Sequence, residues 1–339
     1  MPPSLGATII IGGIDMYKLI THTDLDGAGC AVLARLAWKD GVDISYCANS
    51  QDATKLLLRL YKEKAWKKYS LVFVTDMNFD ASILDECRIY KDIMRMFDHH
   101  ASSVEPFVPY FKWAKIAVEE DGRPTCGTEL FYRYLRRKSL IGPRDWFVEQ
   151  VRLFDTWDWA KGNSSVPKYL SSVVTKIGLR YFVETYTERL RYADVNELDI
   201  FNQYERDILL YDEANERRLI DMFLKDTYVC MLKDSAVGGE DGTLKVGVTF
   251  NSSLFSSLLG NTICDTLPVD IAFLVNLNRG KAEVRTKRDD IDLSKIMKAL
   301  YNGGGHAKAA GGEITVAESV IRDCLRPLGE VVSVERPKP

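Results

Sequence analysis

Four short apolar runs, residues 17–21, 44–47, 71–75 and 93–97, alternate with stretches of helical spacing through the first half of the chain. That alternation selects a parallel sheet with crossover helices, because strands in such a sheet are buried on both faces and read as continuous apolar runs. Helical spacing fits residues 27–39, closed by Asp40 and Gly41, then 52–68, and 80–91 with Asp80 as an N-cap. Two further helices fit 126–138 and 144–154. A second regularity lies at the strand ends: Asp24 and Asp26 follow the first run, Asp76 the third and Asp98 the fourth. Ligands of open α/β sheets bind beyond the carboxyl ends of the strands, so three separate acidic stretches are expected to meet in one crevice.

All four histidines fall in short motifs of chemical interest: His22 in Thr21–Gly27, His99 and His100 after Phe97-Asp98, and His306 after Gly303-Gly304-Gly305. Imidazole and carboxylate together make an open N/O shell that suits Mn²⁺, with Mg²⁺, Co²⁺ or Fe²⁺ as weaker fits. Residues two apart on an extended segment share a side, so His22, Asp24 and Asp26 are expected to converge. Gly27 then lets the chain turn into a helix whose free N–H groups can receive a phosphate oxygen. Alone, Asp24-Leu25-Asp26-Gly27 reads as an N-capping loop; Asp76 and Asp98-His99-His100 shift the balance to a metal centre. His306 has glycines for company, which suits phosphate contact. No Ser or Cys sits in an activating motif, so no covalent nucleophile is expected.

The 339 residues exceed what one core usually holds, and two domains are expected. A net charge of −3 gives no general field for gripping long nucleic acid. Seven scattered cysteines without a Cys-x-x-Cys pair fit a reducing compartment rather than a disulfide framework or thiolate zinc site. The apolar stretch 7–11 is too short for a membrane span, and the expectation is a soluble, cytoplasmic protein with residues 1–15 as a dispensable extension. Residues 187–226 contain neither Gly nor Pro and read as an amphipathic connector helix with one break. Beyond it, strands near 228–232, 245–250, 271–276 and 281–286 alternate with helices near 254–265 and 292–302.

Asp98-His99-His100, the preceding Asp24-Leu25-Asp26-Gly27 and the later Gly303-Gly304-Gly305-His306 resemble, in order and spacing, the DHH phosphoesterase superfamily. The opening His22-x-Asp24-x-Asp26-Gly27 is similar to its nanoRNase B type of oligoribonucleases, and the resemblance runs from about Met16 to about Leu328. It implies an α/β protein: a parallel-sheet DHH catalytic domain over 16–186, a helical connector over 187–226 and a smaller α/β DHH-associated substrate-binding domain over 227–330. It also implies two divalent ions, Mn²⁺ by preference, with His22, Asp24 and Asp76 on the first. Asp26, Asp76, His99 and Asp155 hold the second in this scheme, Asp76 bridging, with Asp158 the rival to Asp155. Asp98 is expected to orient a neighbouring imidazole, and His100 to face the substrate and donate a hydrogen bond to the reacting phosphoryl oxygen. One departure touches His22: many members separate the first His from the first Asp by four residues, and RecJ-type exonucleases with the two-residue spacing carry Asp where this chain has His22.

In the second domain the resemblance implies substrate contacts from Gly304, Gly305 and His306, with Arg285 as a phosphate clamp. Lys287 and Arg288 read as solvated charges, and Trp157 and Trp159 as core aromatics rather than base-stacking platforms. The two domains are expected to face each other across the connector, leaving room for short chains only. A long-strand exonuclease would want an added basic groove with stacking aromatics, for which no length is left after the second domain. The implied activity is Mn²⁺-dependent, two-metal hydrolysis of short RNA oligonucleotides to mononucleotides. The rivals are a phosphatase or phosphodiesterase of small nucleotides (pAp, cyclic or linear dinucleotides), a RecJ-like single-strand exonuclease, and a nucleotide sensor without turnover. Partners are thus short RNA or small nucleotides, without a membrane, and a homodimer is the assembly considered.

Overall fold

A computed structural model describes residues 16–86, 90–110, 112–162, 164–192, 194–195, 200–233, 243–250, 255–314 and 319–320. The chain divides between residues 209 and 210 into two compact units. In the first, β1 (Tyr17–Thr21), α1 (Leu25–Trp38), β2 (Val42–Tyr46), α2 (Ser50–Lys62) and β3 (Leu71–Thr75) follow one another. Two four-residue helices, α3 (Ile83–Glu86) and α4 (Tyr90–Ile93), lead to β4 (Met94–Asp98), α5 (Ala101–Phe107) and β5 (Ala114–Ile116). A small hairpin of β6 (Glu119–Glu120) and β7 (Arg123–Pro124) precedes α6 (Gly127–Arg137), α7 (Asp145–Asp155), α8 (Val166–Ser172) and α9 (Leu179–Arg189).

The five strands β1–β5 form an all-parallel sheet in the order β2-β1-β3-β4-β5. Alternation along each strand splits the apolar residues between two faces. Leu19, Phe73 and Phe97 pack with α1, α6, α7 and α9 on one side. Ile20, Val72, Val74, Met94 and Met96 pack with Ala53, Leu57 and Leu60 of α2 and Phe107 of α5 on the other. The connection from β2 to β3 passes over β1, so the winding reverses between β1 and β3. At such a switch point the flanking helices diverge and leave a crevice beyond the strand ends. Asp24, Asp26 and Asp76 all lie there.

The second unit contains β8 (Tyr228–Lys233), β9 (Thr243–Phe250), α11 (Ser256–Thr266), β10 (Ile271–Asn276), β11 (Lys281–Arg285), α12 (Leu293–Tyr301), β12 (Gly304–His306) and β13 (Ala309–Glu313); α10 (Gln203–Lys225) runs into it. Its sheet has the order β12-β13-β11-β10-β9-β8 and is mixed, with β9 and β10 parallel and the other pairs antiparallel. Leu244, Val246, Val284, Leu293 and Met297 fill one side, and Ile220, Leu259, Ile263 and Leu274 the other. The glycine-rich segment closes this sheet as the β12–β13 hairpin.

Three expected elements differ. The helix expected over 52–68 stops at Lys62, because Lys64 turns left-handed (φ +56°) before a separate 3-10 turn over Ala65–Lys68. The helix expected over 80–91 is replaced by α3 and α4, with 87–89 outside the described residues; Asp80 caps the local turn at Ser82 instead. The connector helix begins at Gln203, not near 187. A reciprocal cap explains the start: the Asn202 side chain accepts from the Glu205 N–H at 2.9 Å, and the Glu205 carboxylate accepts from the Asn202 N–H at 2.7 Å. Among the described residues, no helix is long and apolar enough to cross a membrane.

Candidate active site

The crevice is built from loops that leave β1, β3 and β4. Asp24 caps α1, its carboxylate accepting the Gly27 N–H at 3.1 Å. The turn is so tight that a Cβ on residue 27 would sit 2.2 Å from the His22 carbonyl oxygen, which only glycine avoids. His22 Nδ1 lies 2.8 Å from Asp24 Oδ2, and that hydrogen bond raises the imidazole pKa against the opposing effect of burial.

Asp26 does not join this pair. It stands in the first turn of α1 rather than on an extended segment, so the helical rotation carries it to the other side of the crevice. There the first N–H groups of α6 grip it: Thr128 N–H donates to Oδ1 and Gly127 N–H to Oδ2, each at 2.7 Å. A helix N-terminus is a favourable place for a carboxylate. Close approach is again required, since a Cβ on Gly127 would lie 2.7 Å from Asp76 Cβ.

Asp76 follows β3 with φ +54°, a left-handed conformation that Asp tolerates better than most residues. His99 Nε2 stands 3.4 Å from Asp76 Oδ1, 3.4 Å from Asp155 Oδ2 and 3.8 Å from Asp26 Oδ2. Three overlapping sets of donor atoms result among the described residues, each within 4.8 Å: His22, Asp24 and Asp76; Asp26, His99 and Asp155; and Asp76, His99 and His100. Burial, then the charges of Asp26, Asp24 and Asp155, push the Asp76 carboxyl well above the usual range. Burial, then Asp26 and Asp24, do the same for Asp155. Burial also lowers the His99 pKa, which favours the neutral, ligating imidazole.

Two atoms test whether a cation fits. Asp76 Oδ2 and His99 Nε2 are buried and have no hydrogen-bond partner. Buried polar atoms are rarely left this way, and spacings of 3.4 to 3.8 Å are too long for the hydrogen bonds that would satisfy them. Converging carboxylates with a neutral imidazole and orphaned atoms fit a divalent cation. Asp158 belongs to a different arrangement, its charge matched by Arg152 at 2.8 Å and Lys161 at 2.9 Å.

Asp98 is fully buried and saturated. Its Oδ1 accepts the His99 N–H at 2.9 Å and faces His100 Nδ1 at 2.7 Å, while Oδ2 accepts the Ser103 hydroxyl. Burial works against the Asp98 charge, but the bond to His100 and its charge hold the carboxyl below its usual range. The same bond lifts His100 to about 9, so its ring is cationic at neutral pH. Asn78 Nδ2 donates to Ser103 Oγ at 3.0 Å and braces the chain from outside. An open cleft of about 200 Å³ lies against His22, Asp24, Asp76 and His100, with Asn49 and Asn78 on its rim.

Sequence reasoning missed Ser103, Asn78, Gly127 and Thr128. Gly127 and Thr128 were visible only as the start of the helix expected over 126–138, and nothing in the spacing of Asn78 or Ser103 marks them. In the second unit, Arg285 is buried beneath α11, its guanidinium donating to Ser257 Oγ and to the Val284 carbonyl, each at 2.8 Å. Gly304, Gly305 and His306 are exposed on the edge strand β12. Lys287 pairs with Asp265 at 3.3 Å, and Arg288 with Asp270 and Asp290 at 2.8 and 2.6 Å. Trp157 and Trp159 are half-buried and meet edge to face at 5.2 Å.

Residues 250–332 match the family model for the DHHA1 domain. Over 329 residues the chain is 28% identical to oligoribonuclease NrnB of Bacillus subtilis, covering 92% of this chain and 78% of that protein. Together these matches support a DHH superfamily member close to NrnB. A second relative, a 3′,5′-cyclic-nucleotide phosphodiesterase of Helicobacter pylori, is 23% identical over 343 residues, covering 89% of this chain and 93% of that one. The fold is shared with RecJ of Thermus thermophilus in complex with Mn²⁺, at a TM-score of 0.56 and 14% identity, over 93% of this chain and 51% of that one. As a DHH protein similar to NrnB, the chain is a phosphoester hydrolase.

Proposed function

We propose that this DHH protein is a Mn²⁺-dependent exoribonuclease of the cytoplasm that hydrolyses short RNA oligonucleotides to mononucleotides. The observation that carries the reading is the pair of orphaned buried atoms, Asp76 Oδ2 and His99 Nε2, at the meeting point of four carboxylates and two imidazoles. Likeness to an oligoribonuclease over 92% of the chain supports the choice of substrate.

In this reading His22, Asp24 and Asp76 hold one ion, and Asp26, Asp76, His99 and Asp155 the other. Divalent ions bound there would supply electrophilic stabilisation of the phosphoryl oxygens and a water of lowered pKa. The protein's own groups do the rest. α6 fixes Asp26 through two N–H groups, so that carboxylate needs no reorganisation. His100, cationic and held by Asp98, donates a hydrogen bond to a non-bridging phosphoryl oxygen in the cleft. Asp98, pinned by Ser103, keeps the ring in that orientation. Arg285, Gly304, Gly305 and His306 contact phosphates and sugar remote from the reacting bond.

End-labelled RNA two-mers to twelve-mers incubated with purified protein and Mn²⁺ test the reading. Rapid loss of the two- to five-mers, absent in His99→Ala, is expected; inert oligomers would refute it. A second reading, a phosphodiesterase of cyclic or dinucleotide substrates, is favoured by the cyclic-nucleotide phosphodiesterase relative. Consumption of a cyclic nucleotide or cyclic dinucleotide alongside untouched oligomers would select it.

A further inference from the structure

A second concavity in the first unit, of about 450 Å³, has no part in the chemistry above. Its rim carries Lys115 of β5 and Arg133, Arg136 and Arg137 of α6, against two carboxylates, Glu120 and Asp145. This cationic excess stands on a chain of net charge −3. Not all of the cations are available. Lys115 pairs with Glu120, and Arg133 is taken up by Glu129 and Asp121, each at 2.8 Å. Arg136 donates only its Nη1 to the Ile141 carbonyl, at 2.9 Å, and Arg137 forms no ion pair with a carboxylate of the described residues. Two adjacent guanidiniums thus present open donors to the pocket. Its floor differs, being made by Leu130 and the ring of Tyr132, both nearly buried.

Two guanidiniums with open donors beside an apolar and aromatic floor are complementary to a phosphate joined to a flat heterocycle. The volume lies within the usual range for small-molecule sites. We propose that this pocket binds a phosphate-bearing nucleotide of mononucleotide size, at a site separate from the hydrolytic crevice. Separation follows from α6 itself: Gly127 and Thr128 at its start grip Asp26, whereas Arg136 and Arg137 stand in its last turn, about 12–15 Å along the axis at 1.5 Å per residue. The same helix therefore carries both sites at opposite ends.

Calorimetric titration of the full chain in EDTA, with adenosine 5′-monophosphate, adenosine and inorganic phosphate as separate probes, tests this without reference to turnover. The monophosphate is expected to bind at one site per chain, with adenosine and phosphate each markedly weaker. Arg136→Ala/Arg137→Ala should weaken the monophosphate roughly tenfold or more, from the loss of charge-assisted hydrogen bonds. Arg136→Lys/Arg137→Lys should retain part of the affinity, and Asp155→Asn should leave it unchanged. Unaltered affinity in the alanine pair, loss in Asp155→Asn, equal binding of inorganic phosphate, or no saturable binding would each overturn the proposal. Failure of the hydrolase reading would instead show as absent turnover with these affinities intact.

Discussion

Asp76 combines a left-handed backbone, near-complete burial and an oxygen with no partner. Each costs free energy, and together they mark a residue kept for chemistry rather than stability. Asp76→Asn should lower turnover by at least about a thousandfold, since several kcal/mol of transition-state charge stabilisation depend on the ions it would bridge. In EDTA the same variant should melt no lower than wild type, because one of several crowded like charges is gone. Calorimetry that showed a large fall in Tm would instead make Asp76 a structural residue. Ser103 makes the complementary case. Removing its hydroxyl in Ser103→Ala takes a donor from buried Asp98 and loosens His100, so kcat should fall about 10- to 100-fold with little change in KM. Steady-state kinetics that showed the loss in KM alone would contradict that chain of contacts.

At the scale of elements, α6 is the piece on which the crevice depends. Its first residue lies against Asp76, so Gly127→Ala should displace the helix start, cost about 1–3 kcal/mol by overpacking and abolish most activity. Thermal melting and turnover measured together check this; a stable, active variant would mean that the grip on Asp26 is dispensable. The core strands were legible to the residue, as with β1 and β3, because strands buried on both faces must be continuous apolar runs. Helix ends were less so. The start of α10 rests on the Asn202–Glu205 cap, a short polar signal inside a long charged stretch. Asp26 was misplaced for a similar reason: extended spacing was applied to a residue already inside a helix. The hairpin β12–β13 has no apolar alternation to announce it, being paired through backbone groups of small residues.

At the scale of the molecule, strand order decides where chemistry can occur. The winding reverses between β1 and β3, and the acidic strand ends gather at that reversal. That the acidic strand ends share one crevice followed from their placement after the apolar runs; the strand order did not. Nor did the way each carboxylate is held: the α6 N-terminus reaches Asp26 from a distant segment, and Ser103 on Asp98 and Arg152 on Asp158 are local side-chain contacts that no motif spacing marks. Arg285→Ala tests the contribution of the second unit: KM should rise more than kcat falls if the guanidinium serves a remote phosphate, and equal loss in both would place it at the reacting group. A metal centre in the first unit should also stabilise the folded chain, by about 2.7 kcal/mol at Mn²⁺ a hundredfold above Kd, and melting with and without EDTA reads this directly.

The most direct test of the account is Mn²⁺ binding itself, followed by titration calorimetry and electron paramagnetic resonance on wild type and Asp76→Asn. Two ions per wild-type chain with a spin-coupled signal, and loss of that coupling with weakened binding in the variant, are predicted from Asp76, which belongs to one donor set with His22 and Asp24 and to another with His99. Stoichiometry and affinity unchanged by Asp76→Asn would contradict it, and would move the metal, and the chemistry with it, away from this crevice.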